Sequence, residues 1–177
     1  MKIALVTDTY FPRVNGVSTS TRTFAREFVK MGHEVHIHAP AFPGHIEDAE
    51  PFKVVRYPSW YIFFDPEDRL GHANKAEIQA FVDEKYDIVH TQTPFTLGGP
   101  AVKWARKSGA KVVHTYHTLF TAYVEHYLWF LPKFVSIGYA KWFSRNYCNK
   151  CDLNVTPSGE MKKELASYDV KTPISVI

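Results

Sequence analysis

Short apolar runs alternate with longer amphipathic stretches along the 177-residue chain. The runs are rich in β-branched residues and continuously apolar, which is typical of strands that are covered on both faces. Most of the stretches between them have helical spacing, so the pattern predicts an α/β fold with a mainly parallel sheet and helices on both faces. The predicted strands are 2–7, 34–39, 53–56, 86–90, 111–115 and 152–156.

The first helix is predicted to begin near Ser18, because a hydroxyl side chain caps the free N–H groups of a helix start. It is predicted to end at Gly32, a residue that accepts the left-handed turn after a helix. Helical spacing recurs near 71–84, 97–107, 134–149 and 158–167.

The length of the chain and its lack of repeats or low-complexity linkers predict one domain over residues 1–177. Its last residues, KTPISVI, form another apolar, strand-like run with no polar residue after it. A buried strand seldom ends a native protein in this way. We therefore expect the chain to be the first half of a longer protein.

The composition is that of a globular protein, with 45% hydrophobic and 22% charged residues. A net charge of +3 and a pI near 8.8 allow mild attraction to anionic surfaces, but no basic block indicates a nucleic-acid partner. No early segment has the pattern of a signal peptide, and no apolar run approaches the roughly 18 residues of a membrane span. The expected location is the cytoplasm.

The two cysteines, Cys148 and Cys151, form a lone C-N-K-C sequence. This offers two ligands where a structural zinc site needs about four, so we expect incidental thiols at a helix end. The H-x-H and H-x-x-H pairs likewise lack an obvious third ligand. No metal site is predicted.

The loop after the first predicted strand contains two aromatic residues, a proline and an Asn-Gly pair, in the sequence DTYFPRVNGVSTSTR over residues 8–22. Ligands of open α/β sheets bind at the carboxyl ends of strands. Asn15 and Gly16 favour a turn, and Gly16 lets a ligand approach the backbone closely. The N–H groups of residues 17–20, at the positive end of the helix dipole, would suit a phosphate or carboxylate. The alternative is a plain turn with a helix cap, since the loop is neither G-x-G-x-x-G nor a Walker loop.

Polar and aromatic residues also follow two later strands, in TQTPF (91–95) and TYHTLF (115–120). Parallel strands end at one edge of a sheet, so the three loops are expected to meet there. His90 and His114 lie within strands and are expected to be core residues, whereas His117 lies beyond its strand. Neither a Ser-His-Asp arrangement nor a carboxylate pair can be assembled. The residues assigned to the site are Asp8, Tyr10, Asn15, Gly16, Gln92, Tyr116, His117 and Thr118.

Four segments together resemble a known family: TDTYFPRVNGVSTS, GHEVHI, IVHTQTPF and VVHTYHT, in this order. They are similar to the N-terminal domain of retaining family-four glycosyltransferases of the GT-B fold. The nearest likeness is to bacterial diacylglycerol glucosyltransferases, with mannosyltransferases further off. The resemblance implies two Rossmann-like domains facing a cleft, of which this chain is the acceptor-side half. The nucleotide-sugar domain, with its Glu-x7-Glu segment, would be absent from this chain.

The resemblance also implies roles for individual residues. Gly16 matches the glycine that comes close to the donor diphosphate and sugar. His117 matches the histidine that contacts the transferred sugar at the reaction centre, and Thr118 follows it into the cleft. Many relatives have Gly-Gly in the first loop where this chain has Asn15 and Gly16, so contact from Asn15 is less expected than contact from Gly16.

The mechanism implied by the resemblance needs neither a protein nucleophile nor a metal. The phosphate of the donor helps to activate the acceptor hydroxyl on the same face, and the enzyme positions both and stabilises the departing diphosphate. The expected donor is a UDP- or GDP-hexose, and no further cofactor is expected.

Two aromatic segments are candidates for contact with a membrane surface. Residues 120–147 combine aromatic and cationic side chains, and residues 57–69 carry four consecutive apolar residues between two prolines. The alternative is that both segments pack into the core or against the absent domain. The interface candidates are Trp60, Phe63, Trp129, Phe130 and Lys133.

The leading hypothesis is transfer of a hexose to a membrane lipid such as diacylglycerol, by an enzyme bound peripherally at the inner face of the cell membrane. Transfer to a soluble acceptor is the nearest alternative, and a non-catalytic module that binds a phosphate or sugar is another. A dehydrogenase is least expected, because EVHIHAP (34–40) has no acidic residue at its end to hold a ribose.

Overall fold

The computed structural model describes residues 1–63, 65, 67–117 and 132–177. Over these residues the chain forms a seven-stranded sheet and a two-stranded hairpin. In chain order the elements are β1 (Lys2–Val6), α1 (Gly16–Lys30), β2 (Glu34–Pro40), β3 (Lys53–Tyr57), β4 (Ser59–Tyr61), β5 (Arg69–Gly71), α2 (Lys75–Asp83), β6 (Ile88–Thr91), α3 (Gly98–Ser108), β7 (Lys111–Thr115), α4 (Lys133–Cys148), β8 (Leu153–Thr156), α5 (Gly159–Ser167) and β9 (Ile174–Val176).

The predicted α/β alternation is confirmed. The strand order of the sheet is β3-β2-β1-β6-β7-β8-β9, and every strand pair with a described register in it is parallel. Each predicted strand and helix has a counterpart within a few residues. The pattern missed the hairpin of β4 and β5, because strands of three residues with exposed side chains have no buried face to reveal them.

The predicted start of α1 was wrong by two residues. The helix begins at Gly16, and Asn15 is its cap: the Asn15 side chain accepts a hydrogen bond from the Ser18 N–H at 2.8 Å. The Ser18 hydroxyl accepts in turn from the Asn15 N–H at 2.9 Å, which closes a capping box. Ser18 thus takes the third helical position, and Asn is as good a cap as Ser. At the other end, Gly32 takes the predicted left-handed conformation with φ of 82°.

The chain divides into two compact units, Met1–Val112 and Val113–Ile177. In the first unit, β1 pairs with β2 on one side and β6 on the other. Right-handed crossovers therefore place α1 on one face of the sheet and α2 and α3 on the opposite face. The connection after β1 leads to β2 and the connection after β6 leads to β7, in opposite directions along the sheet, so the position between β1 and β6 is the topological switch point.

The core of the first unit lies where β1 and β2 pack against α1. It is aliphatic at the strands and is closed by aromatic rings, among them Phe24 and Phe28, which stack at 5.9 Å. Its buried members are Ile3, Leu5, Tyr10, Ala25, Val35, Ile37, Ala39 and Phe52.

A chain of buried polar side chains crosses the other side of β2. His38 approaches the hydroxyls of Tyr57 at 3.0 Å and Tyr86 at 2.8 Å, and Tyr86 also approaches His36 at 2.7 Å. The far nitrogen of His36 lies 3.2 Å from the Glu34 carboxylate, which favours an N–H there. With that tautomer the Tyr86 hydroxyl donates to His36 and accepts from His38, the Tyr57 hydroxyl donates to His38, and both imidazoles stay neutral.

The second unit has its own small core. The Tyr116 ring is buried among Cys148, Leu165 and Tyr168. Cys148 lies at the end of α4 as a free thiol, and burial raises its pKa. A thiol of this kind packs as a small apolar group.

Candidate active site

The N-terminus of α1 is open to solvent in the first unit. Gly16 is exposed, and a Cβ built on it meets no atom within 4 Å. Within the described residues no acceptor lies in reach of the Gly16 and Val17 N–H groups, and the first turn holds no acidic residue. Two free donors at the positive end of a 15-residue helix are an arrangement that suits an anion, and anion binding here stays a prediction.

The N-terminus of α3 is filled instead by a carboxylate of the protein itself. Asp8 Oδ1 accepts from the Leu97 N–H at 2.6 Å and the Thr96 hydroxyl at 2.9 Å. Asp8 Oδ2 accepts from the Thr93 hydroxyl at 2.6 Å and the Phe95 N–H at 3.1 Å. The side chain predicted to bind substrate therefore clamps the loop after β6 to the loop after β1, and substrate contact by Asp8 stays a prediction.

Gly98 permits the close packing of this clamp. A Cβ on Gly98 would lie 1.7 Å from the Thr93 carbonyl oxygen and 3.5 Å from Asp8 Oδ2. No side chain fits at that position without moving the loop. The predicted meeting of the first two loops at one sheet edge is confirmed by these contacts.

Two other predicted residues of the first unit lie below the surface. Tyr10 is 2% exposed, packs edge-on against Phe11 at 5.3 Å, and has its phenol pKa raised by burial. Gln92 is also buried at the end of β6. Direct substrate contact from either side chain stays a prediction, and the structure gives Tyr10 a packing role.

His117 and Tyr116 belong to the second unit. The Tyr116 hydroxyl lies 2.9 Å from the Ser144 hydroxyl, so this side chain holds β7 to α4. His117 is partly exposed, and burial lowers its pKa to about 4, which leaves a neutral imidazole near pH 7. Thr118 lies outside the described residues. His90 and His114 are buried, as expected of core residues.

Exposed aromatic side chains cluster on the hairpin of β4 and β5. Trp60 is 62% exposed and stacks on His72 with 4.3 Å between ring centroids, and Phe63 is 90% exposed. Stacking holds the indole in place on the surface. The two predicted interface residues of this segment are therefore accessible.

A second exposed aromatic face lies on α4. Phe134 is 78% exposed and Trp142 is 53% exposed, eight positions apart on one side of the helix, with Tyr139 between them. Lys133, a predicted interface residue, is exposed beside them. Trp129 and Phe130 lie outside the described residues. Phe134, Tyr139 and Trp142 were not among the predicted interface residues, although the spacing of three between Tyr139 and Trp142 in a helix could have singled out that pair.

The described part of the chain contains no group of three or more His, Cys, Asp or Glu side chains placed to hold a metal ion. Among the helices the structure describes, none combines the length and apolar character needed to cross a bilayer.

A doubly wound parallel sheet with an open, glycine-containing helix start at its switch point defines a Rossmann-like α/β domain. The sequence model described as Glycosyltransferase Family 4 matches residues 14–177. The chain belongs to glycosyltransferase family 4.

Relatives agree with this assignment, and a solved structure shares the fold. The chain is 34% identical to alpha-monoglucosyldiacylglycerol synthase of Streptococcus pneumoniae, over 100% of this chain and 40% of the relative. It is 24% identical to GDP-mannose-dependent alpha-mannosyltransferase of Corynebacterium glutamicum, over 96% of this chain and 41% of the relative. The chain thus spans well under half the length of these relatives. Sucrose-phosphate synthase from Thermosynechococcus elongatus shares the fold, with a TM-score of 0.65 at 15% identity over 99% of this chain and 47% of that one.

Proposed function

We propose that the protein transfers a hexose from a UDP- or GDP-hexose to a membrane lipid such as diacylglycerol, with retention at the anomeric carbon. This chain is the acceptor-side half. The observation that carries the proposal is the open start of α1, where Gly16 and Val17 offer two N–H donors in a family of sugar transferases. A diphosphate of the donor is the anion that fits there.

The reaction needs little chemistry from this half of the protein. The bond from the anomeric carbon to the diphosphate breaks while the acceptor oxygen attacks the same face, and the hydroxyl proton passes to a phosphate oxygen. The N–H groups of Gly16 and Val17 stabilise the charge that develops on the diphosphate. His117 is neutral near pH 7 and hydrogen-bonds the sugar without adding a charge.

The lipid acceptor is supported by the surface and by the relatives. The hairpin exposes Trp60 and Phe63, and α4 exposes Phe134 and Trp142 next to Lys133. Aromatic rings with nearby cations suit the headgroup region of an anionic bilayer. The Streptococcus pneumoniae relative is named for a glucosylated diacylglycerol. We assign the protein to the inner face of the cell membrane as a peripheral enzyme.

Mass spectrometry of reaction products tests this proposal. The full-length protein is incubated with a panel of nucleotide-sugars and a total lipid extract, and a lipid that has gained a hexose is sought. A hexosyl-lipid that depends on one nucleotide-sugar is the expected result. Nucleotide release with soluble acceptors but no hexosyl-lipid would overturn the lipid acceptor. Absence of both nucleotide release and any hexose transfer would favour a binding module.

A further inference from the structure

The first loop is linked to the aromatic hairpin by a chain of hydrogen bonds that ends at Asp68, the residue just before β5. The Thr9 hydroxyl donates to Asp68 Oδ1 at 3.1 Å. The same Thr9 oxygen accepts from Asn15 Nδ2 at 2.9 Å. Asn15 Oδ1 then accepts from the Ser18 N–H at 2.8 Å and caps α1.

The carboxylate of Asp68 fixes the donor-to-acceptor direction of this chain of hydrogen bonds. An ionised carboxylate only accepts hydrogen bonds, so the Thr9 hydroxyl must point its hydrogen at Asp68. A lone pair of the Thr9 hydroxyl oxygen is then left to accept from the NH₂ group of Asn15. The amide of Asn15 is thereby oriented with its oxygen towards Ser18. Without Asp68, the Thr9 hydroxyl is able to donate to Asn15 Oδ1 and compete with the cap.

Asp68 is suited to this task by its surroundings. It is partly buried, and burial raises its pKa while the Thr9 hydrogen bond opposes the shift. The Arg13 guanidinium lies 3.7 Å away and also pairs with Glu67, so the hairpin loop holds the first loop at a second point. The Thr9 backbone is held separately, because Thr7 Oγ1 donates to the Thr9 carbonyl at 2.8 Å. The side-chain link is therefore the part that depends on Asp68.

We propose that Asp68 is a positioning residue, which sets the hydroxyl of Thr9 and the amide of Asn15 so that the start of α1 is ordered to receive the donor diphosphate. This inference rests on the proposed function for its consequence in catalysis. It also means that the segment bearing Trp60 and Phe63 sets the geometry of the glycine loop. A loop ordered for only part of the time binds more weakly in proportion to that fraction.

Amide hydrogen exchange of the full-length protein tests the link without any substrate. The reporters are the Asn15 and Ser18 N–H groups, and the capping box of α2, formed by Asn74 and Glu77, is the internal control. In Asp68→Ala, exchange at the two reporters is expected to be faster by about tenfold, with the α2 box unchanged. Asp68→Asn keeps an oxygen acceptor and is expected to stay within about threefold of wild type. Unchanged reporters in Asp68→Ala would overturn the inference.

Thr9 provides a second route to the same test. Thr9→Val removes the relay hydroxyl at nearly constant volume and is expected to match Asp68→Ala. The double variant is expected to be no worse than either single one, because both break one chain. Additive effects would show that the two residues act separately. Glu67→Ala, which removes an ion pair with Arg13 but does not touch Thr9, is the matched control and is expected to leave the reporters unchanged.

Kinetics then separates positioning from folding. For Asp68→Ala the KM for the nucleotide-sugar is expected to rise about tenfold, with kcat at saturation and the acceptor KM near wild type. A loss of kcat together with a lowered Tm would indicate a merely structural role and would overturn the inference. If the wild-type protein glycosylates no acceptor at all, the proposed function fails, while the exchange experiment still decides the role of Asp68.

Discussion

Single residues in this protein do their work through very short-range effects. Gly16 and Gly98 are both the first residue of a helix, but the space available for a side chain differs between the two positions. Gly98 has a carbonyl oxygen 1.7 Å from the place of a Cβ, whereas Gly16 has open space. Packing therefore requires glycine at position 98 and does not require it at position 16. Under the proposed function, access for the donor is the physical reason to keep residue 16 small.

Gly16→Val is expected to abolish transfer in the full-length protein while leaving the fold intact. A Cβ at this position would stand where the donor diphosphate approaches, but it has no protein atom within 4 Å. Hexose transfer and Tm are the two measurements. Gly159→Val is the matched control, since Gly159 is the first residue of α5 and also has no atom within 4 Å of a Cβ. Near wild-type transfer by Gly16→Val would defeat the assignment of the anion site.

The buried His38 predicts a dependence of stability on pH. Burial lowers its pKa from 6.5 to about 3, and the positive charges of Lys53 and, when it is protonated, of His36 act in the same direction. The unfolded chain thus binds a proton that the folded chain does not between these values. Above pH 6.5 this residue does not reduce the free energy of unfolding. Between pH 6.5 and about 3, that free energy falls by about 1.4 kcal/mol for each unit of decrease in pH because of this one residue.

Urea unfolding at pH 7.5, 6 and 5 measures this dependence. In His38→Gln the titrating group is gone, so the slope of unfolding free energy against pH is expected to fall by about 1 kcal/mol per unit or more. The variant is also expected to be less stable than wild type at pH 7.5, because one amide does not bridge the hydroxyls of Tyr57 and Tyr86 as the imidazole does. Equal slopes in the two proteins would contradict the prediction.

At the scale of secondary-structure elements, side chains that follow one element cap the start of another. Asp8 follows β1 but serves the start of α3, so two elements far apart in sequence depend on one carboxylate. Sequence reasoning placed Asp8 at the correct edge of the sheet. It did not reveal the partners, because they lie 85 or more positions away.

Asp8→Ala is expected to lower the free energy of unfolding by about 3 kcal/mol, since several buried donors lose a charged acceptor. Asp8→Asn is expected to be nearly as harmful, because an NH₂ group would face N–H donors of the loop after β6. Urea denaturation gives both values. Asp48→Ala, at an exposed carboxylate 3.6 Å from Arg22, is the control and is expected to change stability by less than about 0.5 kcal/mol.

The exposed aromatic side chains predict that the hairpin of β4 and β5 and helix α4 each contribute to membrane binding, and the two contributions are tested separately. Replacement of Trp60 and Phe63 by Ser is expected to weaken sedimentation of the full-length protein with anionic vesicles, because large apolar side chains leave the headgroup region. Replacement of Phe134 and Trp142 by Ser tests α4 in the same way. Met31→Ser is the control, since Met31 is exposed but ends α1 at the edge of the sheet opposite the candidate site. Unaltered binding would remove that element from the proposed interface.

At the scale of the whole molecule, the sheet order creates the candidate site. The chain runs from β1 outwards to β3 and then returns past β1 to β6, so the connections after β1 and β6 lead in opposite directions along the sheet. The candidate site lies at this topological switch point. Four short segments of sequence were enough to recognise the family, and the match over residues 14–177 confirms it. The donor and acceptor are still proposals, because this chain spans 40% of the Streptococcus pneumoniae relative.

The sequence by itself determined the elements, their parallel pairing, the glycine loop and the family. Apolar runs and helical spacing are local signals, and motif recognition needs only neighbouring residues. Tertiary structure alone decided that Asp8 is a clamp, that Tyr10 and Tyr116 are buried, and that Asp68 reaches Thr9. These facts depend on contacts between distant positions. Such contacts exist only once the backbone is packed, and no local pattern records them.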